Sequence, residues 1–386
     1  MAKDESSSVQ QLRILVHAPL GVGGVTNLML NIQKHIDRDK LNFDYLVFHD
    51  RIEPEEHTAL ELGARKLVAS ADEITFKPLR AILRLKRVRD VCKKNNIKIF
   101  HFNGGAPMGF LTMLAAKAGG VKWITFHSHN GGMSNEGWMA KVVSALCRPL
   151  LGLVVDDYWA CSELAANFSF PRRVVKDKKF YFMPNAIDLE KFKYNAKVRN
   201  QVRNELGVAD KFVVGHAGRF NHQKNHTFLI DIFAEIHKKN PDAFLVLFGV
   251  GELQDSIKNK VNDLGLTDSV LFYGASDQME RMYQAMDVFL MPSNFEGLPV
   301  TGVEAQAAGL PIVFSDVITH EVAVSPNIEY VSLNKPVRLW ADKVLAFKGT
   351  ERRDYCDELR SHGFDQTVMV KHFQEYYLNI YNNLQK

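Results

Sequence analysis

Cysteine is scarce in this 386-residue chain, with only Cys92, Cys147, Cys161 and Cys356, scattered without paired or metal-ligand spacing. That excludes a disulfide framework and a thiolate metal site, and the four are expected as reduced thiols of a cytosolic protein. No motif surrounds any one thiol to mark a nucleophile. No run of about 18 uninterrupted apolar residues occurs, so no membrane span is expected. The opening stretch, Met1 to Ser8, is polar and has no signal-peptide core. Charge of one sign is also lacking: 48 Lys and Arg against 44 Asp and Glu leave a formal +4, too little to argue for nucleic acid. Beyond the first ten residues there is no low-complexity segment.

What is present is an ordinary globular composition, 46% apolar and 24% charged, on a chain long enough for two full cores. Short apolar runs alternate with helical patterns. Strands are expected at Leu12–Ala18, Phe43–Phe48, Ile97–Phe102 and Trp123–His127, with a helix from Thr26 to about Ile36. The rhythm restarts after residue 200, with strands at Phe212–Ala217, Ala243–Phe248, Val270–Tyr273, Val288–Met291 and Ile312–Phe314, and helices near Thr227–Lys238 and Leu253–Leu264. Two βαβ runs imply an α/β chain of two doubly wound, Rossmann-like domains. The join is read at Met183-Pro184-Asn185-Ala186-Ile187-Asp188. The domains are placed at 10–185 and 186–366, with a final helix, rich in Tyr and Phe, over 367–386.

The most informative stretch is Asn294-Phe295-Glu296-Gly297-Leu298-Pro299-Val300-Thr301-Gly302-Val303-Glu304. A buried strand precedes it. A short helix follows, opening at Pro299 and stopping at Gly309. Glu296 is expected in the loop and Glu304 about a turn and a half into the helix. Free backbone N–H groups at a helix start cradle phosphate. One carboxylate can then hold sugar hydroxyls and the other ribose hydroxyls. A hydrolase carboxylate pair is the weaker reading, because Arg219 and Lys224 follow the Phe212–Ala217 strand, where open sheets bind ligands. Two such cations can neutralise a diphosphate as it departs.

Other stations are less specific. Gly249, in Gly249-Val250-Gly251, permits close backbone approach or a simple turn. Tyr273 ends a strand where a base edge could be read. The loop Gly21-Val22-Gly23-Gly24 resembles a dinucleotide loop, but Thr26 replaces its third glycine, and Asp44, the nearest acid in spacing, starts a strand. Gly23 and Gly24 are therefore assigned to a substrate crevice, and a dehydrogenase remains an alternative. His127 and His129 end a strand, where His127 is the stronger candidate for handling protons. The two are read as pointing to opposite faces, which rules out direct chelation, and no other cluster proposes a metal. From Lys77 to Lys98 a basic amphipathic stretch includes Arg80, Arg84, Arg87 and Lys94, opposed only by Asp90. It fits an anionic membrane surface or an ordinary surface helix. No aromatic platform accompanies it, so nucleic acid is not a partner.

Taken together, Glu296 and Glu304, Gly218-Arg219 with Lys224, Pro184-Asn185-Ala186-Ile187-Asp188 with Phe192, and Ala160-Cys161-Ser162-Glu163 resemble a retaining GT-B glycosyltransferase of the large group-4 family. His127-Ser128-His129-Asn130 resembles the subset that builds bacterial capsule and exopolysaccharide. The likeness runs from about Leu12 to Leu384, departing at Ala186, where glycine is usual. It implies two domains facing a cleft, with the last helix crossing back to the first. It implies a nucleotide-sugar donor, with UDP favoured, and a glycan or lipid-linked acceptor. In that reading Glu296 holds the transferred sugar, Glu304 the ribose, and Arg219 and Lys224 the diphosphate. Amides near Gly297, Leu298, Val300 and Thr301 help, and His127 faces the reacting sugar. No metal or cofactor is needed. The resemblance also implies a cytoplasmic protein at the inner membrane face. The alternatives are a nucleotide-sugar epimerase of the same fold and a non-catalytic nucleotide-sugar-binding protein.

Overall fold

A computed structural model describes residues 11–21, 23–104, 109–129 and 138–386, with the backbone alone at 138–141. The first ten residues, Val22 and Asn130 lie outside the described residues. The chain divides into two compact units, Met1–Pro184 with Thr367–Lys386, and Asn185–Gln366.

The first unit runs β1 (Leu12–His17), α1 (Gly24–His35), β2 (Leu41–Val47), α2 (Glu56–Glu61), β3 (Arg65–Val68), α3 (Lys77–Lys94), β4 (Ile99–Gly104), α4 (Gly109–Ala118), β5 (Trp123–Ser128), α5 (Trp138–Leu150), a 3-10 turn at Leu151–Leu153, β6 (Asp157–Ala160), α6 (Glu163–Ser169), α7 (Arg172–Lys176) and β7 (Tyr181–Phe182). The strands pair in the order β3-β2-β1-β4-β5-β6-β7, all parallel. The order reverses between β1 and β4, which opens a crevice at their carboxyl ends.

The second unit runs α8 (Leu189–Phe192), α9 (Ala196–Glu205), β8 (Phe212–Ala217), α10 (His226–Lys239), β9 (Ala243–Phe248), α11 (Gln254–Asp263), β10 (Val270–Gly274), α12 (Met279–Ala285), β11 (Val288–Met291), α13 (Val300–Ala307), β12 (Ile312–Ser315), β13 (Ile328–Val331), α14 (Val337–Leu345) and α15 (Cys356–Ser361). Its six parallel strands pair as β10-β9-β8-β11-β12-β13, with the reversal between β8 and β11. The chain is therefore α/β with two doubly wound sheets. The last helix, α16 (Gln366–Gln385), packs in the first unit. Phe373 and Tyr377 are buried there against Phe43 of β2, His101 of β4 and Trp159 of β6.

Local chemistry explains the placements and three departures from expectation. Every residue of β8 is buried, the pattern of a strand covered on both faces. Pro299 caps α13 rather than opening it, and Gly309 at φ 70° ends the chain's turn out of that helix in the left-handed region that glycine tolerates. Asp44 lies inside β2, wholly buried, where Arg13 and Arg65 neutralise it, so it is a structural anchor. The third departure is in α3, where Asp90 is not the sole opposing acid. Arg84 sits 3.6 Å from Asp72 and over the Phe48 ring, and Arg87 pairs with Glu73 and the Ser70 carbonyl. Arg80 Nε donates to the Ile74 carbonyl at 2.6 Å. These side chains fold back onto the segment before α3, while Lys94 stays exposed.

Candidate active site

In the second unit, β8 and β11 are neighbours, so the loops leaving their carboxyl ends meet. Lys224, in the β8–α10 loop, places its Nζ 2.8 Å from Glu296 Oε1, in the β11–α13 loop. Gln223 Nε2 donates to the other carboxylate oxygen at 3.1 Å. Backbone and side-chain bonds lock the two loops together: the Asn294 amide donates to the Gln223 carbonyl at 2.8 Å, and Asn225 Nδ2 to the Pro292 carbonyl at 3.1 Å. Asn225 itself takes the left-handed conformation, φ 54°, to turn the chain into α10.

Next to this pair α13 begins. Gly302 is its first amide to reach back, donating to Pro299 O at 3.0 Å, so the amides of Val300 and Thr301 have no backbone acceptor among the described residues. Leu298 is buried and Gly297 half-buried in the approach to the helix. Glu304 sits on α13 itself, where the Tyr283 hydroxyl donates to its Oε2 at 2.8 Å. Burial pushes the Glu304 carboxyl up to about 7, against the opposing pull of the Tyr283 bond and the Lys224 charge. The two glutamates therefore differ: one is salt-bridged, the other held by a phenol.

The remaining candidates of this unit take distinct positions. Arg219 is 71% exposed at its side chain and leans on Glu252, at 3.4 Å, instead of on either site glutamate. Gly249 has φ 129°, and a Cβ there would meet the Gly218 carbonyl oxygen at 2.1 Å, so only glycine fits this strand end. Tyr273 is partly exposed with its ring 5.1 Å from that of Phe248. Beneath Lys224 lie two buried histidines. His216 Nδ1 donates to the Leu290 carbonyl at 2.8 Å, and His226 stacks on Phe220. Burial and then the Lys224 charge pull His226 down to about 4, so both rings stay neutral beside the ammonium.

In the first unit, Gly23 and Gly24 stand open at the start of α1, where a Cβ would meet nothing within 4 Å. His127 is enclosed, 0% exposed, against His101, His129 and Trp159. Alternation along a strand puts residues i and i+2 on one face, so His127 and His129 do not point apart: their ring centroids are 3.9 Å from each other. Asn103 joins the cluster, its Oδ1 accepting from His129 Nε2 at 2.7 Å and from His101 Nε2 at 3.2 Å. Tyr377 of α16 reaches His101 Nδ1 at 2.5 Å. Burial holds His101 and His129 down at about 3 and His127 well below the ordinary range, so the cluster is neutral. No group of three or more His, Cys, Asp or Glu among the described residues could hold a metal.

Four contacts were outside the reach of sequence: Gln223 on Glu296, Tyr283 on Glu304, Glu252 on Arg219, and Asn103 among the histidines. Gln223 had a signal, its adjacency to Lys224. The other three join residues from separate elements that only tertiary packing brings together.

The family model described as glycosyl transferases group 1 matches residues 198–358, a span that includes Arg219, Lys224, Glu296 and Glu304. The protein named "Putative glycosyltransferase EpsF", of Bacillus subtilis (strain 168), is 30% identical over 384 residues, covering 96% of this chain and 97% of its own. A UDP-Gal:alpha-D-GlcNAc-diphosphoundecaprenol alpha-1,3-galactosyltransferase of Escherichia coli is 25% identical, covering 80% and 81%. Among solved structures, Anabaena HepE in complex with UDP superposes with a TM-score of 0.76 at 17% identity, covering 95% of this chain and 99% of that one. Sucrose-phosphate synthase of Thermosynechococcus elongatus gives 0.73 at 18% identity, covering 97% and 100%. The two-sheet architecture, the match over the second unit and near-full-length similarity to EpsF together place this chain in the group 1 glycosyl transferases, as a glycosyltransferase of the GT-B fold.

Proposed function

We propose that the protein transfers a sugar from a nucleoside diphosphate sugar, a UDP-sugar first, to a hydroxyl of a glycan or lipid-linked acceptor, with retained anomeric configuration, in exopolysaccharide or capsule synthesis. The observation that carries this reading is the Lys224–Glu296 pair beside the free amides of α13, at the carboxyl ends of β8 and β11. Support for the donor and acceptor comes from relatives: the Escherichia coli enzyme is named for UDP-Gal and a diphosphoundecaprenol acceptor, and HepE was solved with UDP.

In this reading the bond from the anomeric carbon to the diphosphate oxygen breaks as the acceptor oxygen attacks from the same face. The acceptor's proton passes to the departing phosphate oxygen. Negative charge grows on the diphosphate, where Lys224 and the Val300 and Thr301 amides meet it without reorganising. Arg219, free to leave Glu252 because both are exposed, adds a bidentate grip. Glu296 then releases part of its bond to Lys224 and accepts hydroxyls of the transferred sugar. Glu304 accepts from the ribose, and Tyr273 with the backbone at Gly249 borders the base. Gly23 and Gly24, open at the start of α1, line a substrate crevice of the first unit. His127, walled in by three aromatic rings, serves as a positioning residue for the end of β5. The positive field of these groups makes a divalent ion unnecessary. The protein works at the anionic inner face of the membrane.

A thermal-shift screen of UDP-, GDP- and ADP-sugars tests the reading, because a ligand that binds only the folded state raises the melting point. The UDP-sugar series is expected to shift it, and Lys224→Ala to abolish the shift. Stabilisation by none of the three would refute a nucleotide-sugar donor.

A further inference from the structure

Among the exposed apolar side chains of the first unit, one set lies along a single helix. Along α5 and the turn that follows it, Val142, Leu146, Leu150 and Leu153 recur at helical spacing, and all four are exposed. Leu146 is 68% exposed and Leu153 75%. Single exposed leucines need no explanation, but an unbroken apolar stripe on one helix marks a contact surface.

The stripe runs into a recess of about 740 Å³ whose lining includes Pro149, Gly152 and Leu153 together with Arg148, Arg172 and Arg173. Among the described residues none of the three guanidinium groups forms a salt bridge, and the acids Asp156 and Asp177 of this stretch pair with Lys117 and Lys179 instead. Arg148 is fixed in place, its Nη2 donating to the Asn167 carbonyl at 2.5 Å and its Nε to that of Phe170. Arg173 lies against Gly152, 2.9 Å from where a Cβ would stand. Arg172 is exposed. The recess sits between the end of α5 and the start of α7, at the edge where β6 begins. That edge is opposite the strand carboxyl ends that hold ligands in such sheets, so it belongs to neither donor nor sugar.

We propose that this face rests on an anionic phospholipid bilayer, with a lipid phosphate taken by Arg172 and Arg173 at the rim and the α5 stripe in the acyl boundary. An apolar stripe flanked by unpaired cations is the chemistry of an interfacial helix. The proposal rests on the reading that the protein works at a membrane, and it moves the contact away from α3, whose Arg84 and Arg87 already have acidic partners. A second copy of the chain fits less well, because a two-fold contact through this face would set one cationic rim against another.

Sedimentation with vesicles tests it, comparing phosphatidylcholine alone with phosphatidylcholine mixed with phosphatidylglycerol. The full chain is expected to bind only the mixed vesicles. At about fivefold per cation near an anionic surface, Arg172→Gln with Arg173→Gln should weaken partition roughly thirtyfold. Leu146→Ser with Leu153→Ser should release the protein, and Lys86→Gln with Lys94→Gln on α3 should change it little by comparison. All three pairs replace exposed side chains, and an unchanged UDP-sugar thermal shift confirms that each variant is folded. Loss of binding only in the α3 pair overturns this placement while the membrane reading stands. Failure of the wild type to bind either vesicle overturns both, and leaves glycosyl transfer to its own test. A wild-type dimer that Leu146→Ser with Leu153→Ser converts to monomer overturns the proposal by making the face a protein interface.

Discussion

Lys224 and Glu296 neutralise each other at 2.8 Å, with side chains only 15% and 7% exposed. A cation meant to grip a diphosphate is thus kept in place, before the donor arrives, by the carboxylate proposed to hold the donor's sugar. The pair is preorganised, and it also removes the repulsion that a lone carboxylate would offer a phosphate.

Breaking a buried pair leaves one charge uncompensated, which costs about 3 kcal/mol. Glu296→Gln and Lys224→Met should each destabilise the second unit by that order. The double variant should recover most of the loss while remaining inactive. Urea unfolding of the four proteins checks the cycle. Additive losses would mean that the two groups do not interact.

Glu304 gives the second unit a pH dependence of definite sign. Its folded pKa, about 7, lies above the ordinary 4.5, so between those values the folded state binds more protons than the unfolded one. Stability should be greatest below about 4.5 and fall by up to about 3 kcal/mol as pH rises through about 7. Glu304→Gln should remove that slope. Donor affinity should run the other way, rising through about 7 as the carboxylate becomes an acceptor for ribose hydroxyls. Titration calorimetry across the window, on wild type and Glu304→Gln, measures this.

The first unit should respond to acid in the opposite sense. His101 and His129 are held at about 3 against an ordinary 6.5, so only the unfolded chain takes up protons between those values. Their contribution is complete above 6.5 and is lost progressively as pH falls toward about 3. Hydrogen exchange read separately in the two units should show β4 and β5 loosening as pH falls. Tyr377→Phe, which strips His101 of a 2.5 Å partner, should cost about 1–2 kcal/mol without changing donor affinity.

Two glycines should differ sharply. A Cβ at Gly249 would strike a backbone oxygen at 2.1 Å from a strained φ, whereas one at Gly215 would strike the flexible Met286 side chain at the same distance. Gly249→Ala should lower the melting point by about 10 °C, for a cost near 3 kcal/mol. Gly215→Ala should cost less, as Met286 can move. Calorimetric melting of both variants compares them.

Much of the fold was legible because buried parallel strands read as continuous apolar runs. Phe212–Ala217, Ala243–Phe248 and Val288–Met291 were placed to the residue. Arg65–Val68, Asp157–Ala160, Tyr181–Phe182 and Ile328–Val331 were not anticipated. Three are short edge strands with charged or polar residues that mask the signal, and Asp157–Ala160 is an interior strand of only four residues opened by an aspartate. In the candidate site the glutamates, Lys224 and the start of α13 could be placed from motif and helix punctuation. The swing of Arg219 onto Glu252 and the hold of Tyr283 on Glu304 could not, because no local pattern encodes a contact between elements. The histidine pair was misplaced by a misapplied alternation, which the 3.9 Å ring contact corrects.

The decisive measurement is steady-state release of UDP, coupled to sugar transfer, by wild type, Lys224→Ala and Glu296→Ala with the donor that the thermal-shift screen selects. Losing a group that meets the developing charge costs about 10²-fold or more in turnover, so both variants should fall by at least that factor, at saturating donor, while still melting cooperatively. Wild-type turnover in both would contradict a mechanism in which this pair holds the departing diphosphate and its sugar.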